Sequence, residues 1–152
     1  MTSVFTSEPA RREGELDDAR ATPVYFGPVG TQLFGWYHPP TGAPRGPAVV
    51  ICPPIGYEMV ESHQGLRHLA QGLSRSGLPA FRFDYHGTGD STGSDYDARR
   101  PRAWVDSVGR AVDEVRALSG VATVALVGLR LGGLLAATSA SERGDVAGLV
   151  LW

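Results

Sequence analysis

The chain has 152 residues, the size of one domain, and 42% of them are apolar, enough to bury a core. A net charge of −2 excludes an electrostatic case for nucleic acid or an anionic membrane surface. One cysteine, Cys52, excludes an internal disulfide framework and suits a reducing compartment.

Residues 1–20 are polar and charged with no apolar period, so a flexible tail is expected there, ahead of a domain at 21–152. Arg11, Arg12, Glu13, Glu15, Asp17 and Asp18 stand where the apolar stretch of a signal peptide would lie. No run reaches the ~18 apolar residues of a membrane helix. The expected location is the cytoplasm. Residues 24–26 and 32–37 are short, aromatic and β-prone, and the stretch 27–30 between them predicts a hairpin. The Pro- and Gly-rich segment 39–47 predicts a loop.

The pattern then changes. Ala48–Cys52 is a continuous apolar run closed by Pro53 and Pro54. Over 62–76, Leu66, Leu69, Ala70 and Leu73 fall on one face of a helix, with Gly77 as its stop. Residues 80–85 predict the next strand. Over 103–118, Trp104, Val108, Ala111, Val112, Val115 and Leu118 share a face, opposite the charge pairs Asp106/Arg110 and Arg110/Glu114. Residues 123–127 form a third apolar run, 131–142 a helix with Gly144 as its stop, and 146–152 a fourth run. Apolar strands alternating with amphipathic helices predict a mostly parallel sheet with helices on both faces. The chain ends inside that fourth run, which reads either as an edge strand or, the favoured expectation, as truncation after about the sixth strand.

The junction of the third run and its helix, TVALVGLRLGG, has the strand–turn–helix context of a G-x-S-x-G nucleophile turn. Gly128 and Gly132 take the small flanking positions that let strand and helix close up, and Gly133 adds room. The central residue is Arg130. A guanidinium stays protonated and has no lone pair with which to attack a carbonyl. Two readings of Arg130 remain open. It projects from a helix N-terminus and binds a carboxylate or phosphate there. Or it forms an ordinary ion pair with a nearby carboxylate such as Asp84. A literal G-x-S-x-G also occurs at Gly89-Asp90-Ser91-Thr92-Gly93, but its strand ends four residues too early and no helix follows Ser91. The plainer reading of that segment is a turn in which Asp90 and Ser91 bond to backbone.

Other candidates are weaker. His63 and His68 are five apart, so they do not share a helix face as a zinc pair would, and no metal or other cofactor is expected. His86 stands where a strand reaches the sheet edge and is a pocket candidate, as is Ser91; a loop histidine bonding to backbone is the commoner case. Glu58 and Glu61 either face Arg130 or simply favour the start of a helix. Cys52 reads as a small buried hydrophobe. Arg99, Arg100 and Arg102, flanked by Asp95, Asp97 and Asp106, read as a solvated loop. Gly87-Thr88-Gly89 lacks the spacing of a dinucleotide site, and no P-loop motif occurs.

Three segments come in a family's order at family-like spacing: PPIGYE at 53–58, RFDYHGTGDS at 82–91 and GLRLGG at 128–133. From about Val24 to Trp152 the chain resembles the N-terminal half of α/β-hydrolases of the serine aminopeptidase-like group. It looks similar to the exosortase-associated hydrolases and related bacterial proteins, some of which also carry G-L-R-L-G. The resemblance implies a three-layer α/β-hydrolase fold. It implies an oxyanion hole built from the backbone of Ile55 or Gly56 and of Leu131, and hydrolysis of an ester, thioester or amide through an acyl-enzyme. The family's acid and histidine follow strands that this chain lacks, and Arg130 departs from the family's serine. Three functions therefore compete: a serine-hydrolase relative, a non-catalytic protein that holds an acidic small molecule on Arg130, and an inactive fragment. The expected partner is a small acyl or carboxylate ligand, with neither nucleic acid nor membrane.

Overall fold

The computed structural model describes residues 21–94 and 96–152. The expected tail at 1–20, and Asp95 of the acidic flank, lie outside the described residues.

Among the described residues, six strands form one sheet in the order β1-β2-β4-β3-β5-β6. β1 (Thr22–Phe26) and β2 (Leu33–His38) are the expected antiparallel hairpin, and β2 also runs antiparallel to β4 (Ala80–Phe83). β3 (Ala48–Cys52), β4, β5 (Val124–Gly128) and β6 (Val146–Leu151) run parallel, so the sheet is mixed with a parallel body. Three helices among the described residues, α1 (Tyr57–Arg75), α2 (Arg100–Ser119) and α3 (Leu131–Ser141), make the connections.

The apolar patterning explains the layers. β3 is central, and all five of its residues are buried. Its side chains alternate in direction, as strand geometry requires. Val49 and Ile51 meet Leu66 and Ala70 of α1 on one face. Ala48, Val50 and Cys52 join Val108, Val112 and Val115 of α2 and Leu135 and Ala136 of α3 on the other. The chain leaves β3 toward β4 through α1, then returns across β3 to β5 through α2. The loops after β3 and β5 therefore run to opposite faces of adjacent strands. Such a switch in winding opens a crevice beyond the strand ends, where α/β sheets bind ligands.

Helix boundaries depart from the periodicity at three points. α1 begins at Tyr57 rather than 62, because its first turn is exposed and leaves no apolar period to read. α2 begins at Arg100 rather than 103. Pro101 sits in its first turn, where a missing N–H leaves no hydrogen bond unmade. α3 ends at Ser141 with Glu142 in a right-handed cap, so Gly144 does not terminate it. Gly77 does terminate α1. Its φ is 83°, its N–H reaches Ser74 O at 3.1 Å, and the Leu78 N–H reaches Leu73 O at 2.9 Å, a Schellman closure.

β6 is an outer strand; Val150 and Leu151 on it and Trp152 just past it are exposed. Among the described residues no helix is long and apolar enough to cross a membrane.

Candidate functional site

The turn between β5 and α3 is built by steric necessity. A Cβ on Gly128 would strike Gly133 Cα and would lie 2.7 Å from Gly132 O. A Cβ on Gly132 would strike the carbonyl oxygens of Cys52 and Pro53. The first turn of α3 thus rests directly on the end of β3. Hydrogen bonds lock the turn: Leu129 N–H to Cys52 O at 3.1 Å, Gly132 N–H to Leu129 O at 2.9 Å and Gly133 N–H to Arg130 O at 2.9 Å. The Arg130 N–H reaches across to Trp152 O at 2.7 Å, and the Trp152 N–H returns to Gly128 O at 2.9 Å.

Arg130 itself has φ 56° and ψ −120°, and it is the only non-glycine residue with positive φ among the described residues. A side chain in that region is strained by about 1–3 kcal/mol and persists only where its surroundings over-determine it. The bend lifts the side chain off the sheet, leaving it 67% exposed. Its Nε lies 3.3 Å from Glu58 Oε1. The partner is therefore Glu58, not Asp84. The early start of α1 puts Glu58 in the helix's first turn, beside the elbow. Asp84 is occupied elsewhere, accepting the Asp90 N–H at 3.1 Å, and burial holds its carboxyl above the usual carboxylate range.

The loop after β3 lies alongside. Gly56 has φ 75° and ψ −141°, a conformation natural to glycine, and its carbonyl accepts the Met59 N–H at 3.1 Å. Tyr85, fully buried, donates its hydroxyl to Pro53 O at 3.0 Å and so fixes this loop from beneath. Sequence reading missed Tyr85. The available signal was an aromatic residue with a polar tip at the end of a core strand. Ile55 is partly buried against the core, and Leu131, the first residue of α3, is half exposed. Pro54, Glu58, Glu61, Ser62, Leu129, Arg130 and Trp152 together line an open cleft of about 660 Å³.

The other two pocket candidates stand apart from this cleft. Ser91 Oγ donates to Asp84 O at 2.6 Å and accepts the Phe34 N–H at 2.9 Å, pinning the β4–α2 loop to β2. His86 faces the start of α2. Its Nε2 is 3.2 Å from Asp97 Oδ2, its N–H meets Ser107 Oγ at 3.2 Å, and its carbonyl accepts the Trp104 indole at 3.0 Å. A second, smaller cavity of about 140 Å³ lies between α1 and β2/β4, lined by Trp36, His63, Arg82 and Asp84 among others. There burial lowers the Arg82 pKa to about 10, helped by the like charge of Arg67, while its Nε donates to His38 Nε2 at 3.2 Å. Burial raises the Cys52 thiol far above its ordinary value and keeps it un-ionised. Among the described residues no group of His, Cys, Asp and Glu side chains is arranged to hold a metal ion.

A parallel-bodied sheet wrapped by helices, with a strained, glycine-packed turn between the fifth strand and its helix, defines the α/β-hydrolase class. Within that class, the serine aminopeptidase (S33) family matches residues 48–152. The chain belongs to that family. Solved structures agree on the fold. An α/β serine hydrolase homologue from Coxiella burnetii is 22% identical, with a TM-score of 0.69 over 86% of this chain and 61% of its own. A hypothetical protein from Pseudomonas aeruginosa is 25% identical, with a TM-score of 0.73 over 88% of this chain and 43% of its own. A serine hydrolase without a lid from Xanthomonas campestris is 21% identical, with a TM-score of 0.69 over 87% of this chain and 60% of its own. The chain thus spans between two fifths and two thirds of the length of these relatives. No curated protein matches it significantly.

Proposed function

We propose that this chain is a pseudo-hydrolase, which keeps the elbow and cleft of an acyl-transfer enzyme and uses Arg130 to hold the carboxylate of a small molecule. One observation carries the reading: the strained elbow, at φ 56°, is occupied by arginine. The family's reaction, hydrolysis of an ester, thioester or amide through an acyl-enzyme, needs a nucleophile there, and a guanidinium supplies none. What it supplies is a fixed cation with a planar fork of donors suited to a carboxylate. The Leu131 N–H, at the first position of α3, and the backbone of Ile55 or Gly56 would add donors that in a hydrolase hold an oxyanion. Holding a carboxylate in this way needs no cofactor. The reading assigns the protein to the cytoplasm, supported by a single cysteine that is unpaired and buried.

Two measurements test it. A fluorophosphonate probe is expected to leave the protein unlabelled; labelling at Ser91 would reinstate a serine nucleophile. Small carboxylates such as 4-methylpentanoate are expected to raise the melting temperature of the wild type and not of Arg130→Ala. An equal shift in both proteins removes Arg130 as the acid's partner.

A further inference from the structure

The charges around Arg130 narrow the ligand further. Among the side chains that line the cleft are two carboxylates, Glu58 and Glu61, and one guanidinium, an excess of one negative side-chain charge. A simple carboxylate would double that excess. A molecule carrying one charge of each sign would not. We propose, resting on the carboxylate-binding reading above, that the ligand is a small zwitterion, an α-amino acid or a compact amino carboxylate. Its carboxylate sits on Arg130 and its ammonium between Glu58 and Glu61.

The geometry leaves room for this division. Glu58 meets the guanidinium at Nε, 3.3 Å away, and Arg130 lines the cleft, so the NH1 and NH2 fork is assigned to the ligand carboxylate. Both partners are largely in water, at 67% and 48% exposure, so their mutual attraction is weak and Glu58 is readily shared with a second cation. Glu61 follows Glu58 by three residues on α1, which sets both carboxylates on one side of the helix, toward the elbow. An ammonium there receives two acceptors at once, and the ligand carboxylate gains a bidentate partner. Pro54, Leu129 and Trp152 supply apolar wall, which suits an aliphatic side chain.

A matched trio of probes tests the idea: L-leucine, 4-methylpentanoate, which lacks the amine, and 3-methylbutylamine, which lacks the carboxylate. Each is titrated calorimetrically into the wild type, Arg130→Gln and the double variant Glu58→Gln/Glu61→Gln. Leucine is expected to bind about tenfold tighter than either relative. The double variant brings leucine down to the level of 4-methylpentanoate, and Arg130→Gln brings it down to that of 3-methylbutylamine. Should 4-methylpentanoate bind as tightly as leucine, and still through Arg130, the zwitterion is overturned while the acid site stands. Should the amine alone bind as tightly as leucine, the role of Arg130 in recognition is overturned. Should no probe bind in an Arg130-dependent way, both the zwitterion and the acid site fall.

Discussion

Two pentapeptides in this chain share a glycine frame, Gly89–Gly93 and Gly128–Gly132, and they end in opposite conditions. The first has a serine at its centre. Ser91 spends its hydroxyl on Asp84 O and the Phe34 N–H, and no helix starts behind it. The second has a strand before it, a helix after it and a strained centre at φ 56°, and it carries Arg130. The first is a loop clasp containing a nucleophile's functional group. The second is a nucleophile's scaffold without the nucleophile. The pentapeptide pattern alone does not separate them. Backbone context does, since only a sharp strand-to-helix bend presents a central side chain above the sheet edge.

Substitutions can break or sharpen that contrast. The largest effect belongs to the scaffold. Gly132→Ala drives a methyl group into the carbonyls of Cys52 and Pro53, and equilibrium unfolding in urea should lose about 3 kcal/mol or more. A loss well below 1 kcal/mol would mean that the helix and β3 are not in close contact. Ser91→Ala comes next. It strands the Phe34 N–H and the Asp84 carbonyl, both only partly buried, for an expected loss of about 1–2 kcal/mol, with no change in ligand binding at Arg130. The smallest effect lies outside both regions and calibrates them. Arg143 holds Asp145 through contacts of 2.8 and 2.7 Å, which keeps that carboxyl below its ordinary 3.8. An acid depressed in the folded state stabilises fully above its unfolded value and loses the contribution as pH falls through its folded value. Asp145→Asn should therefore lose about 1 kcal/mol at neutral pH, and the difference from wild type should vanish only below pH 3.8. A difference that persists unchanged into stronger acid would show that packing, not charge, is lost.

Much of the fold was legible in the chain. The unbroken apolar run AVVIC, the Leu66–Leu73 face, the 103–118 face and the later apolar runs marked the layers, because an element buried on both sides is apolar throughout and one buried on a single face is apolar at that face's period. The elbow was legible for another reason. Only glycine fits where Gly128 and Gly132 stand, so backbone crowding wrote itself into residue choice. The first turns of α1 and α2 were not legible, since their residues are largely exposed, Tyr57 and Val60 included, and do not extend the buried face that marks each helix. The site's wiring inherited that blindness. Asp84 was an expected partner for Arg130, and Glu58 was one of two acids with an open role. Which of them meets the guanidinium depends on α1 starting at Tyr57. His86, a pocket candidate at a strand end, instead has its backbone bonded to Trp104 and Ser107 of α2.

The most direct test compares Arg130→Gly with Arg130→Ser by urea unfolding. At an ordinary helix N-cap, serine is at least as good as glycine. At φ 56° and ψ −120°, glycine alone escapes the strain, so the glycine variant should be the more stable by about 1 kcal/mol or more. A serine variant as stable as the glycine variant, or more so, would mean that residue 130 sits on an unstrained cap and that this chain has no nucleophile elbow.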